Sequence, residues 1–149
     1  MDDLIAFLRA RLDEDHERAN ASAGAPWVTL QGVGSSQVLV DPHAIRDAKW
    51  KFGTLGHVAS VEHQVDADHI ARHDPARVLA EVEAKRQLLA GHEPVRGAIS
   101  WDVNGTPSYG LICEADSTDS EPVPWPCRHA RLLASPFAGH PDYREEWRP

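Results

Sequence analysis

Residues 74–91 carry the strongest local signal in the chain: Asp74-Pro75-Ala76-Arg77-Val78-Leu79-Ala80-Glu81-Val82-Glu83-Ala84-Lys85-Arg86-Gln87-Leu88-Leu89-Ala90-Gly91. Asp74 is an N-cap residue, and Pro75 suits the first helical position, where a missing N–H leaves no bond unmade. Val78, Leu79, Val82 and Leu89 recur at helical spacing, with Glu81, Glu83, Lys85 and Arg86 on the other faces. Gly91 reads as the C-cap. The stretch predicts a helix of about four turns, around which the other elements are arranged.

Upstream, Asp66 is placed to cap a short helix from Ala67 to Arg72. His57–Val61 reads as a strand, and Trp27–Leu30 and Gln37–Val40 as a hairpin around the Gly- and Ser-rich turn between them. Residues 43–56 hold Ile45, Trp50, Phe52 and Leu55 without a clean period. Residues 2–20 predict a first helix, with Leu4, Ile5, Leu8 and Leu12 on one stripe, Asp2 and Asp3 at the positive end of the dipole, and Glu14 and Arg18 as an i,i+4 pair. Downstream, residues 93–127 look irregular, apart from a brief strand at Tyr109–Ile112. Residues 127–138 predict a last helix shortened by Pro136, and Tyr143 and Trp147 mark a tail that docks. Trp27 and Trp101 are assigned to the core. The expectation is a single α+β domain over residues 1–149, with a small antiparallel sheet from 27–61 packed against the first and central helices, three main helices in all, and 92–127 as a metal-clip subregion.

Composition narrows the function. The 149 residues carry a formal charge of −8 without a cluster of Lys and Arg, which disfavours nucleic acid as a partner. No apolar run approaches the ~20 residues of a membrane span. The acidic start, Asp2-Asp3, is unlike a secretory signal. A soluble cytoplasmic protein is expected. Two cysteines are too few for a disulfide scaffold, so in a reducing compartment Cys113 and Cys127 read as metal ligands or as small buried hydrophobes.

Two constellations could bind metal. His92, Cys113, Asp116 and Cys127 follow the central helix, and Cys113-Glu114-Ala115-Asp116 has the ligand-x2-ligand form of a metal knuckle with a carboxylate as its second donor. Cys127 stands at the start of the last helix, where the dipole favours a thiolate. His129 is an alternative fourth ligand. The second set is His63, His69 and His73, with Asp66 and Asp74 nearby; His69-x3-His73 puts two imidazoles on one helical face. A polar, partly exposed helix face joined to a tight turn is the preferred reading of it. No glutamate follows His69 to make a His-Glu-x-x-His motif, and Gly32-Val33-Gly34-Ser35-Ser36 contains neither a Gly-x-Ser-x-Gly elbow nor a phosphate loop.

Three blocks carry a resemblance: Met1-Asp2-Asp3-Leu4-Ile5-Ala6-Phe7-Leu8-Arg9-Ala10-Arg11-Leu12, the run from His69-Ile70-Ala71-Arg72-His73 through Arg86, and the run from Trp125-Pro126-Cys127 through His140 to Pro149. In the same order, they are similar to an uncharacterised family of small proteins from actinobacteria and their phages. The resemblance implies no activity. It implies a His after the central helix, a Cys-x2-Cys knuckle and a Cys before the last helix. His92, Cys113 and Cys127 match these positions, and Asp116 departs by replacing the second knuckle Cys. The resulting expectation is a non-enzymatic regulatory or protein-interaction module, phage-derived, with structural zinc and an unidentified protein partner; a homodimer stays open. The competing expectation is a metal-dependent hydrolase built on His63, His69 and His73.

Overall fold

The computed structural model describes residues 3–22, 24–41, 56–118 and 120–149. The start of the first helix at Asp2 and the aperiodic stretch 43–55 lie outside the described residues. The elements, in chain order, are α1 (Asp3–Ala21), β1 (Trp27–Gln31), β2 (Ser36–Val40), β3 (His57–Val61), α2 (Gln64–Arg72), α3 (Pro75–Gly91), β4 (Pro94–Trp101), β5 (Pro107–Cys113) and α4 (Arg128–Ala134). Two 3-10 turns, Ser135–Phe137 and Glu145–Trp147, complete the C-terminal part. The protein is α+β, with four helices and two small antiparallel sheets. The chain divides into two compact units, residues 14–82 and residues 1–13 with 83–149.

In the unit of residues 14–82, β2 is the central strand of the order β1-β2-β3. Ser36, Val38 and Val40 of β2 are buried and alternate with half-buried neighbours, the period of two that fixes register when one face is covered. The β1–β2 turn closes with the Gly32 N–H donating to the Ser35 carbonyl at 2.9 Å, and Gly34 takes a φ of +82°, a conformation that a Cβ disfavours. The helix packed on all three strands is α2, through the fully buried Ala67. The sequence assigned that cover to the first and central helices; a small residue on a short helix lets the backbone approach the sheet closely. Helix α2 starts at Gln64, three residues before the predicted Ala67, so Asp66 is a first-turn acid and not the cap. Asp74 caps α3 as expected: the Arg77 N–H donates to its Oδ1 at 2.8 Å. Its other oxygen receives the Trp27 N–H at 3.4 Å. The predicted Arg18–Glu14 pair forms at 2.5 Å.

In the other unit, Leu4, Phe7, Leu8 and Leu12 of α1, Leu89 of α3, Cys113, Cys127, Ala130, Ala134 and Trp147 are buried. The hairpin β4–β5 replaces most of the irregular region expected at 93–127. It pairs Val95 with Ile112 and Gly97 with Gly110 around the Asn104-Gly105 turn, where Gly105 has a φ of +79°. The two facing glycines conceal the strand signature: a Cβ on Gly97 would stand 2.3 Å from the Ile112 Cδ1, so Ile112 occupies the place of a side chain. Trp101, expected in the core, is 47% exposed near the hairpin tip. Gly91 ends α3 without a left-handed cap; the His92 N–H donates to the Leu89 carbonyl at 3.1 Å, and Pro94 biases Glu93 toward extended backbone.

The tail docks. Trp147 is buried and its ring lies 5.0 Å from that of Phe7, with Phe137, His140 and Tyr143 also around the Phe7 ring. Arg144 meets Asp3 at 2.6 Å. The Trp147→Ala substitution is expected to cost about 3–5 kcal/mol, the range for emptying a buried aromatic site. Urea unfolding measures it, and a loss within about 0.5 kcal/mol, typical of surface changes, would mean that the tail does not hold this unit.

Candidate metal centre

The site is assembled by the ends of elements. His92 follows the last residue of α3, Cys113 is the last residue of β5, Asp116 lies in the turn after it, and Cys127 and His129 flank the start of α4. The turn is held by its own hydrogen bonds. The Ser117 Oγ donates to the Cys113 carbonyl at 2.6 Å and accepts the Val123 N–H at 2.9 Å, while the Cys113 N–H donates to the Val123 carbonyl at 2.9 Å. The Asp116 amide hydrogen-bonds the Cys113 sulfur, a donor that favours a thiolate there. Cys127 is the N-cap of α4 with extended backbone, φ −70° and ψ 167°. Because Cys127 is not helical, its side chain and that of His129, two residues on, reach the same place; two helical residues at that spacing would point apart.

The donor atoms converge. His92 Nδ1 lies 3.3 Å from Cys113 Sγ, 3.9 Å from Cys127 Sγ and 3.4 Å from Asp116 Oδ2. Cys113 Sγ is 3.5 Å from the same carboxylate oxygen, and His129 Nδ1 is 3.0 Å from it. The rings of His92 and His129 stack at 4.4 Å. His92, Asp116, Cys127 and His129 present one donor atom each, all within 4.8 Å of one another, and this group could hold a metal ion. Zinc bonds of about 2.3 Å to sulfur and 2.0 Å to nitrogen or oxygen, at the tetrahedral angle, separate neighbouring donors by roughly 3.3–3.8 Å. Four of the six distances among His92, Cys113, Asp116 and Cys127, at 3.3, 3.4, 3.5 and 3.9 Å, fall close to the edges of such a tetrahedron, although the group within 4.8 Å takes His129 in place of Cys113.

Burial is graded across the cluster. Cys113 and Cys127 are 0% and 1% exposed, whereas the side chains of His92, Asp116 and His129 are 15%, 20% and 56% exposed. Burial pushes the Cys113 thiol up to about 12, with nearby Cys127 acting in the same direction and the Asp116 amide opposing. Desolvation acts to raise the Asp116 carboxyl, but hydrogen bonds from His129, Cys127 and Cys113 outweigh it and hold the group below the ordinary carboxylate value. Two buried thiols beside an ionised carboxylate and two imidazoles are well supplied with electron pairs and short of positive charge, which a divalent cation would provide.

The other histidines are arranged differently. His69 and His73 lie 4.5 Å apart by ring centroids, but the His73 Nδ1 is bonded to the His69 carbonyl at 2.8 Å. His63 borders a cavity of about 560 Å³ together with Gln31, Ser36, Glu62 and Gln64, and neither His69 nor His73 borders it. Among the described residues, His63, His69 and His73 belong to no group of three or more donors within metal-binding reach. Ser117, which braces the knuckle, was missed in the sequence; its signal was a hydroxyl four residues after Cys113, a spacing that lets it bond the Cys113 carbonyl.

The fold and this cluster define a small α+β protein with a candidate metal centre in its C-terminal region. The chain belongs to a family of unknown function (DUF6221), whose model matches residues 1–149. Comparison with curated proteins and with solved structures found no match. No helix among the described residues is long and apolar enough to cross a membrane.

A pH dependence follows from Cys113. The folded protein holds this proton more tightly than the unfolded chain, so the contribution to stability is complete below the ordinary value of 9.0 and is lost as pH rises toward about 12. Chemical unfolding of the metal-free protein is expected to become easier as pH climbs through this window. In Cys113→Ser that slope flattens; an equal slope in both proteins would assign it to other groups.

Proposed function

We propose that this protein is a non-enzymatic interaction module whose C-terminal unit is clipped by one zinc ion. The ligands in this reading are His92, Cys113, Asp116 and Cys127. The observation that carries it is the convergence of four donors from the end of α3, the end of β5, the following turn and the start of α4, at spacings near those of a tetrahedron. Zinc would supply the positive charge that two thiolates and a carboxylate need in a desolvated site, and it would cross-link 36 residues of chain, from His92 to Cys127. In such sites metal binding is folding free energy, of order 10–16 kcal/mol in small zinc peptides.

The proposed partner is another protein. Ile99, Trp101, Val103, Tyr109 and Leu111 are exposed on the hairpin β4–β5, apolar surface of the kind that a protein partner covers. The outer edge of β5 is covered by residues 123–125, through the Trp125 N–H donating to the Leu111 carbonyl at 2.9 Å. Among the described residues, β4 pairs with β5 alone, so its outer edge is left for a partner. An accessory role in actinobacteria and their phages belongs to this reading and rests on sequence resemblance.

Elemental analysis of the purified protein tests the clip. Zinc is expected at one equivalent and is lost in both Cys113→Ala and Cys127→Ala. Zinc retained at full stoichiometry by both variants would contradict the assignment.

A further inference from the structure

The cluster offers five donors, one more than a tetrahedral ion takes. His92, Asp116 and Cys127 are common to two overlapping sets of four. In one the remaining donor is Cys113, fully buried; in the other it is His129, whose side chain is 56% exposed. The two candidates flank the same carboxylate oxygen, Asp116 Oδ2, at 3.5 Å for Cys113 Sγ and 3.0 Å for His129 Nδ1. We infer that these are successive sites on one entry path: His129 with Asp116, His92 and Cys127 captures a divalent transition-metal ion at the surface, and Cys113 then replaces His129 to lock it inside. The inference rests on the zinc-clip reading and adds a kinetic role for a residue outside the final ligand set.

The chemistry follows the gradient of burial. A hydrated cation arriving from solvent first meets donors that tolerate water, the exposed imidazole and the carboxylate, which can replace bound waters one at a time. Both sulfurs are buried, but Cys127 belongs with His92, Asp116 and His129 to the group whose donor atoms all lie within 4.8 Å of one another, and Cys113 stands outside that group, so Cys127 is the sulfur that the outer set brings to the ion first. With the ion held by the outer set, a short inward shift brings it within bonding distance of Cys113 Sγ. Cys127 would have given its thiol proton to solvent on joining the outer set; in the exchange the bond to the Cys113 sulfur would form, the bond to His129 Nδ1 would break, and the Cys113 thiol proton would pass to solvent. The His129 ring stays stacked on His92 at the mouth. Exchange of an imidazole for a thiolate favours the inner set for a soft or borderline ion such as zinc or cobalt(II).

Stopped-flow mixing with cobalt(II) tests the path, because thiolate-to-cobalt charge transfer reports sulfur ligands and the visible bands report a tetrahedral ion. The wild-type protein is expected to bind in two phases, the first with one-thiolate intensity and the second rising to two. His129→Ala loses the fast phase and associates more slowly by about tenfold or more, while its final spectrum matches the wild type and its affinity changes by less than about tenfold, smaller than loss of a true ligand. Cys113→Ala keeps the fast phase, stops at one-thiolate intensity and holds the ion at least about tenfold more weakly, so that it releases the metal on purification; if that variant does not fold, the His129→Ala comparison decides alone. Wild-type association kinetics in His129→Ala would overturn the inference. So would a final spectrum changed in that variant, which would make His129 a permanent ligand. A wild-type protein that takes up cobalt without any thiolate band would overturn the zinc clip as well, which separates the two failures.

Discussion

In the C-terminal unit two buried sulfurs meet a half-buried imidazole and a half-buried carboxylate at the ends of four separate segments. Such groups are costly to bury unless each is satisfied. Here they satisfy one another in part: His92 Nδ1 faces both sulfurs and Asp116, and Asp116 accepts from His129. Cys113, Cys127, Ala130 and Ala134 are buried but small, whereas Leu89, three residues before His92, is large and buried. A single ion bound here would add its binding free energy to that packing.

The order of segments makes sense in that light. Pro94 prevents the chain from continuing helically beyond α3 and leaves His92 at the rim. The hairpin returns its last residue, Cys113, to that rim, and the Ser117 brace fixes the turn that carries Asp116. The chain from Val123 to Trp125 then lies along β5 before Cys127 opens α4. At the hairpin tip Trp101 and Val103 are exposed.

Much of this was readable from residues with a single dominant physical role. Asp74-Pro75 announced a helix start because capping and a fixed φ both act locally, and β2 alternated because one face is covered. The class, α+β, followed from the element pattern, and the ligand-x2-ligand step and the element ends pointed to the region where His92, Asp116, Cys127 and His129 come together. The signal failed where side chains were missing or where tertiary packing decided. Gly97 and Gly110 gave β4–β5 no alternation to read, because Ile112 and Ile99 fill the space beside them. Trp101 looked like core by its type alone. His129, read as an alternative fourth ligand, does lie beside Asp116, next to the extended backbone of Cys127.

The central claim, that the junction is a metal clip with both sulfurs in it, is tested most directly by X-ray absorption at the zinc edge of the zinc-loaded protein. The account predicts a four-coordinate shell with two sulfurs at about 2.3 Å and two nitrogen or oxygen donors at about 2.0 Å. A shell of nitrogen and oxygen alone would contradict it.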